Sequence, residues 1–245
     1  KGESEMPKLF EGAAKNWRFV AKFAVFSVAF WLLEFLFQTT FVSPINLGFA
    51  LVRSFGFSAA TFISLALLSS VVFKFFPEFA RYWHVRRSLG VMGYIFLSFH
   101  VFFAVRFFYN GNVFSAFFSL NPFENPVIFG AIANPVFFVM ALTSTDWAVQ
   151  KLGGKNWKAI HRLVYFAFFA TVAHFLTINP PMLMNAAGYL LLLAAFLALA
   201  GELFWFVKTA AKNGFLTLGT KIGFLAILLY LIVALIVFIA PAIAK

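Results

Sequence analysis

Cysteine is absent from the 245 residues of this chain. That excludes disulfides, iron–sulfur clusters, thiolate-bound haem and the Cys-x-x-Cys-His attachment of c-type haem. Charge is also scarce, at 11% of residues, against about 25% in a soluble domain. No dinucleotide-binding unit and no acid–base or nucleophilic constellation can be read. What is abundant is apolar: 63% of residues are hydrophobic and 39 are Phe. Apolar runs of about 20 residues, enough to cross a hydrocarbon core, recur along the chain. They leave no stretch for a soluble catalytic domain.

The pattern predicts an all-α integral membrane protein, with spans at 18–37, 57–76, 88–108, 126–143, 159–178, 183–207 and 221–241. Turn chemistry separates them: Ser43-Pro44 and Gly48, Asn110-Gly111-Asn112, Gly153-Gly154, and Asn179-Pro180-Pro181. The first run is longer than a signal-peptide core and lacks a small-residue cleavage site, which predicts a retained helix. The net charge of +11 is topogenic and does not point to nucleic acid, because the basic residues sit in short loops. Sixteen of the 19 Lys and Arg fall on one side, with Arg53, Arg106 and Lys245 on the other. The positive-inside rule then predicts a cytoplasmic N-terminus, and a bacterial inner membrane is the expected location.

All four histidines, His84, His100, His161 and His174, fall in or beside the third and fifth spans. His100 and His174 sit at similar depth in the outer half of the membrane, where an ionisable side chain is costly and marks an ion path, proton relay or ligand site. One such histidine is equally well explained by an interhelical hydrogen bond. Two at matched depth favour a shared metal ligand, b-type haem. Gly93 shares a helical face with His100, and Ala167, Ala170 and Thr171 lie on the corresponding side below His174. These residues would clear a porphyrin edge, or simply let helices pack closely. His161 lies at the cytoplasmic edge, level with Arg86 and Arg87, where a second cofactor could sit. On one ideal helix, however, it would point about 140° away from His174.

The stretch Ala141-Leu-Thr-Ser-Thr-Asp146, then Lys151-Leu-Gly-Gly-Lys-Asn-Trp157, His161-Arg-Leu-Val-Tyr165 and His174, resembles the ferric reductase-like transmembrane superfamily. So does Arg86-Arg87-Ser-Leu-Gly90 through His100. Within it, the likeness is greatest to the haem-binding membrane subunits of bacterial methionine sulfoxide reductase systems. The resemblance covers residues 80–180. It implies a six-helix haem domain over 1–210, with 211–245 as an added transmembrane helix. It also implies His100 and His174 as haem ligands, His161 in haem binding, and Arg86 and Arg87 at an inner haem. More distant relatives, the NADPH oxidases, use paired histidines on both helices; here Arg86 stands at the inner position of the third span.

The function so implied is electron transfer by haem b, one or two per chain, with the chain acting as a subunit and not as a self-contained enzyme. The donor would be a cytoplasmic flavoprotein reductase, a bound flavin (FMN or FAD) or a quinol. The acceptor would be an extracytoplasmic oxidoreductase such as a methionine sulfoxide reductase. The segment from Asp146 to Lys158, read as a loop, could bind haem propionates, a flavin phosphate or an acidic partner, or simply lie on the membrane surface. Arg106 could pair with Glu34. The rival readings are an anchoring subunit of a larger redox complex and a haem-free transporter.

Overall fold

A computed structural model describes residues 6–213 except 43, 45, 123 and 179–184, together with Leu228; side chains are described from Trp17 to Thr209. The described residues form helices and turns, with no strand among them. The helices are α1 (Met6–Phe37), α2 (Leu47–Phe75), α3 (Trp83–Phe108), α4 (Val127–Leu142), α5 (Asp146–Arg162), α6 (Val164–Ile178) and α7 (Ala186–Asn213). Among the described residues, five stretches are long and apolar enough to cross a membrane: Trp17–Val42, Leu47–Phe75, Pro77–Phe108, Asp146–Ile178 and Ala186–Thr209. Val127–Leu142 is a shorter apolar helix. This is an all-α, multi-pass membrane protein. The expected span at 221–241 and the Asn179-Pro180-Pro181 turn lie outside the described residues.

A helix apolar on every side belongs in the interior, and α2 is that helix. Fifteen of its residues between Ala50 and Val71 are buried, and it packs against α1, α3 and α7. It begins ten residues before the expected start at 57, because Asn46 caps it: the Asn46 side chain accepts from the Phe49 N–H at 2.9 Å. Arg53, read from sequence as an outer-side charge, is therefore buried within this helix. Its guanidinium lies 5.7 Å from the Phe49 ring centre, and Glu34 on α1 is its charged neighbour. The expected Glu34–Arg106 pair does not form among the described residues; Glu34 accepts from Gln38 at 2.7 Å.

α2 pairs antiparallel with α3, and α4 with α6. The start of α2 meets the end of α3 where Gly48 packs on the Phe107 ring, and the start of α4 meets the end of α6. The segment from Asp146 to Lys158 is helical and not a loop. Thr145 caps it, accepting from the Ala148 N–H at 3.1 Å, and only Gly153, at φ 72°, departs from helical geometry. Leu163, at φ −61° and ψ −15°, marks the joint between α5 and α6 within the single stretch Asp146–Ile178.

A candidate cofactor site between two helix pairs

His100 on α3 and His174 on α6 face each other across a cavity of about 300 Å³ that both rings line. Their ring centres are 6.3 Å apart and their planes cross at 83°. His100 Nδ1 lies 2.8 Å from the Val52 carbonyl oxygen, and His174 Nδ1 lies 3.0 Å from that of Pro126. A carbonyl can only accept, so each Nδ1 carries the proton and donates, leaving Nε2 with its lone pair. An imidazole nitrogen lies about 1.1 Å from its ring centre and binds a first-row metal at about 2 Å. Two rings gripping one ion from opposite sides therefore have centres about 6 Å apart. The donor set thus fits a metal held between two neutral imidazoles, and the apolar walls around it suit a flat macrocycle.

The remaining sequence-derived candidates separate into two groups. Gly93 does not line this cavity: a Cβ there would stand 2.8 Å from Ile63 Cγ1, so its bareness lets α3 close on α2. Thr171 does line it. Arg86, Arg87 and His161 come together at the other end of the bundle, around a cavity of about 120 Å³. There Trp157 stacks on His161 at 4.0 Å and donates its indole N–H to the Thr143 carbonyl at 2.9 Å. His161 Nε2 lies 3.1 Å from Thr143 Oγ1. That hydroxyl hydrogen bonds onward to the Val139 carbonyl at 2.7 Å, so it accepts from His161 Nε2–H. Arg87 is held by Asp146 at 2.8 Å and lies over the Trp83 ring at 4.2 Å. His84 is elsewhere, edge-on to Phe19 at 4.8 Å. No second histidine faces His161 among the described residues, so this end offers a cationic pocket and not a bis-histidine site. Ile63 and Phe137 line both cavities and form the partition between them.

Sequence reading missed the acceptors of the two histidine N–H groups and the glycines beside them. A Cβ on Gly56 would lie 2.9 Å from His100 Nδ1, and one on Gly130 would lie 3.4 Å from His174 Nδ1. The available signal was an internal repeat: Val52, Gly56 and His100 recur as Pro126, Gly130 and His174, each 74 residues later. Trp83 recurs as Trp157, and Ala59 as Ala133, at the same offset.

Fold and site together define a class: a helical membrane protein with two half-buried histidines opposed across a cavity built by two antiparallel helix pairs. Residues 55–172 match the family described as the ferric reductase like transmembrane component. That match includes His100 and His161 and stops two residues before His174. The chain is also similar to the protein-methionine-sulfoxide reductase heme-binding subunit MsrQ of Azospira oryzae. Identity there is 29% over 155 residues, covering 60% of this chain and 63% of the relative. Proteins of the same name from Brucella ovis and Brucella abortus are 38% identical over 50 residues, 20% of this chain and 22% of theirs. The chain thus spans less than two thirds of the relatives it matches. No solved structure matches it.

Proposed function

We propose that this chain is a membrane-embedded b-type cytochrome subunit that holds haem between His100 and His174. In this reading it carries electrons from a cytoplasmic donor to an extracytoplasmic acceptor. The observation that carries the reading is the opposed pair of imidazoles, 6.3 Å between centres, each with Nδ1–H engaged and Nε2 left to bind. When bound, haem supplies a one-electron iron couple. His100 and His174 would hold the group through Nε2 and leave oxygen no open site, within largely apolar walls. The name of the relatives supports the cofactor, and a methionine sulfoxide reductase is the proposed acceptor.

The lysines and arginines at the Arg86 end support a cytoplasmic orientation for that end. There the cavity formed by Arg86, Arg87 and His161 would receive an anionic group, a propionate of a second haem or a flavin phosphate. A flavoprotein, a bound flavin or a quinol would deliver electrons. A haem-free transporter is less well supported, because the ionisable groups lining the central cavity are its two histidines and Tyr109, with no charged residue. The segment 211–245 is proposed as an additional transmembrane helix.

The test is haem stoichiometry and the oxidised and dithionite-reduced spectra of purified protein. His100→Ala and His174→Ala should each abolish the central haem, while His161→Ala should spare it. A His174→Ala protein with unchanged haem content would overturn the assignment.

A further inference from the structure

We infer that Gly56 and Gly130 are positioning residues that set the plane and tautomer of the two facing histidines, an inference resting on the proposed haem site. Each glycine lies on a helix packed against its histidine's ring, four residues after the carbonyl that receives the ring's N–H. Val52 and Gly56 serve His100; Pro126 and Gly130 serve His174. Each histidine lies 48 residues after its acceptor, so one local device is built twice. The reason is steric. A helix carbonyl is ordinarily screened by the Cβ atoms one turn on; with that turn bare, a ring can slide flat along the helix and reach the carbonyl laterally. Nδ1–H is thereby fixed as the donor, and Nε2 is aimed at the cavity. Partners of this kind orient metal-binding imidazoles, and their loss costs about 10–100-fold in affinity.

The two copies are not equally tight. At Gly56 a methyl would stand 2.9 Å from Nδ1 and 3.2 Å from Cε1 of His100, so the ring must move. At Gly130 the nearest ring atoms are 3.4 and 3.5 Å away, ordinary contact. The device therefore makes a graded demand: alanine is excluded at Gly56 and tolerated at Gly130, where only a branched side chain intrudes.

The experiment uses the full chain purified with its haem, comparing Gly56→Ala, Gly130→Ala and Gly130→Val. It reads haem per polypeptide, the low-temperature EPR spectrum of the ferric form, and carbon monoxide binding to the reduced form. Rings crossed at 83° give a highly anisotropic low-spin signal in the parent. Gly56→Ala and Gly130→Val should shift or lose that signal, weaken haem retention about 10–100-fold and admit carbon monoxide. Gly130→Ala should shift the signal less than Gly130→Val does. If Gly56→Ala does not accumulate, the contrast between Gly130→Val and Gly130→Ala decides. Parent-like EPR and haem content in both Gly56→Ala and Gly130→Val would overturn the inference. His100→Ala separates the two readings: haem retained there removes the proposed site itself, whereas haem lost there beside a parent-like Gly56→Ala removes only the role of the glycines.

Discussion

Lys74, in the last turn of α2, closes on the carboxylate of Glu202 in α7, and the pair is lopsided: the Lys74 side chain is 32% exposed and that of Glu202 only 6%. One Glu202 oxygen meets the ammonium, and Tyr165 and Arg86 are the carboxylate's other polar neighbours. Removing Lys74 strands a buried carboxylate, whereas removing the carboxylate leaves an ammonium that can reach water. Lys74→Met should therefore destabilise by about 3 kcal/mol and Glu202→Gln by about 1 kcal/mol. The check is thermal unfolding in detergent, with Asp146→Asn as reference. That residue's partnership with Arg87 is solvent-exposed, and its loss should cost under about 1 kcal/mol. Equal losses for Lys74→Met and Glu202→Gln would contradict the asymmetry.

Beside that pair, α7 approaches α2 through Gly201. A Cβ there would fall 2.4 Å from Val71 Cγ1 and 3.3 Å from Val71 Cβ. The obstructing atoms belong to a short branched side chain on a buried helix face, so they cannot swing aside. Gly201→Ala should cost about 1–3 kcal/mol by overpacking. Adding Val71→Ala should recover part of the loss, because it removes the atoms in the way. A Gly201→Ala protein with the parent's melting temperature would show that the helices can separate without cost.

On the loop between α3 and α4, Glu124 gathers Ser119 Oγ at 2.7 Å and Asn121 Nδ2 at 3.0 Å. These donors hold its carboxyl below the ordinary carboxylate value. A depressed carboxylate contributes order above its unfolded value and loses it as pH falls through the folded one. The loop should thus keep one conformation at neutral pH and loosen only in acid, as this carboxylate takes up its proton. Hydrogen exchange of residues 113–125 from neutral pH into acid tests it. Ser119→Ala with Asn121→Ala should move the loosening to higher pH, and an unmoved transition would remove Glu124 from the account.

Much of this was legible in advance because apolar run length and ligand depth are one-dimensional signals. His100 and His174 could be paired by counting residues from the membrane edge, and the runs around them marked most helices to within a few residues. What stayed hidden depends on which helix faces which. Gly56 and Gly130 acquire meaning only when α2 is laid against α3 and α4 against α6. Arg53 read as a boundary because a charge interrupts the apolar run, yet Glu34 from α1 accompanies it inside. Gly153-Gly154 read as a loop, but the Thr145 cap started a helix that only Gly153 interrupts. Gly93 had the right face for a cavity and the wrong neighbour, Ile63.

Asn125 links that outer loop to the central site. It is 1% exposed, and its amide donates to the Ala116 carbonyl at 2.7 Å and the Ser119 carbonyl at 3.0 Å. Ala116 lines the cavity between the histidines. The next residue, Pro126, supplies the carbonyl that receives His174 Nδ1–H. Asn125→Ala would strand the buried Ala116 carbonyl and the half-buried Ser119 carbonyl, at about 1–3 kcal/mol in total, and loosen the loop where it touches the site. Limited proteolysis should cut the variant within 109–126 faster than the parent. Because Pro126 starts α4 and is anchored by that helix, the central cofactor should still bind, with faster exchange to an external haem acceptor such as apomyoglobin. Unchanged proteolysis and exchange would mean that α4 alone fixes the carbonyl of Pro126, and that the loop is a cover with no part in holding His174.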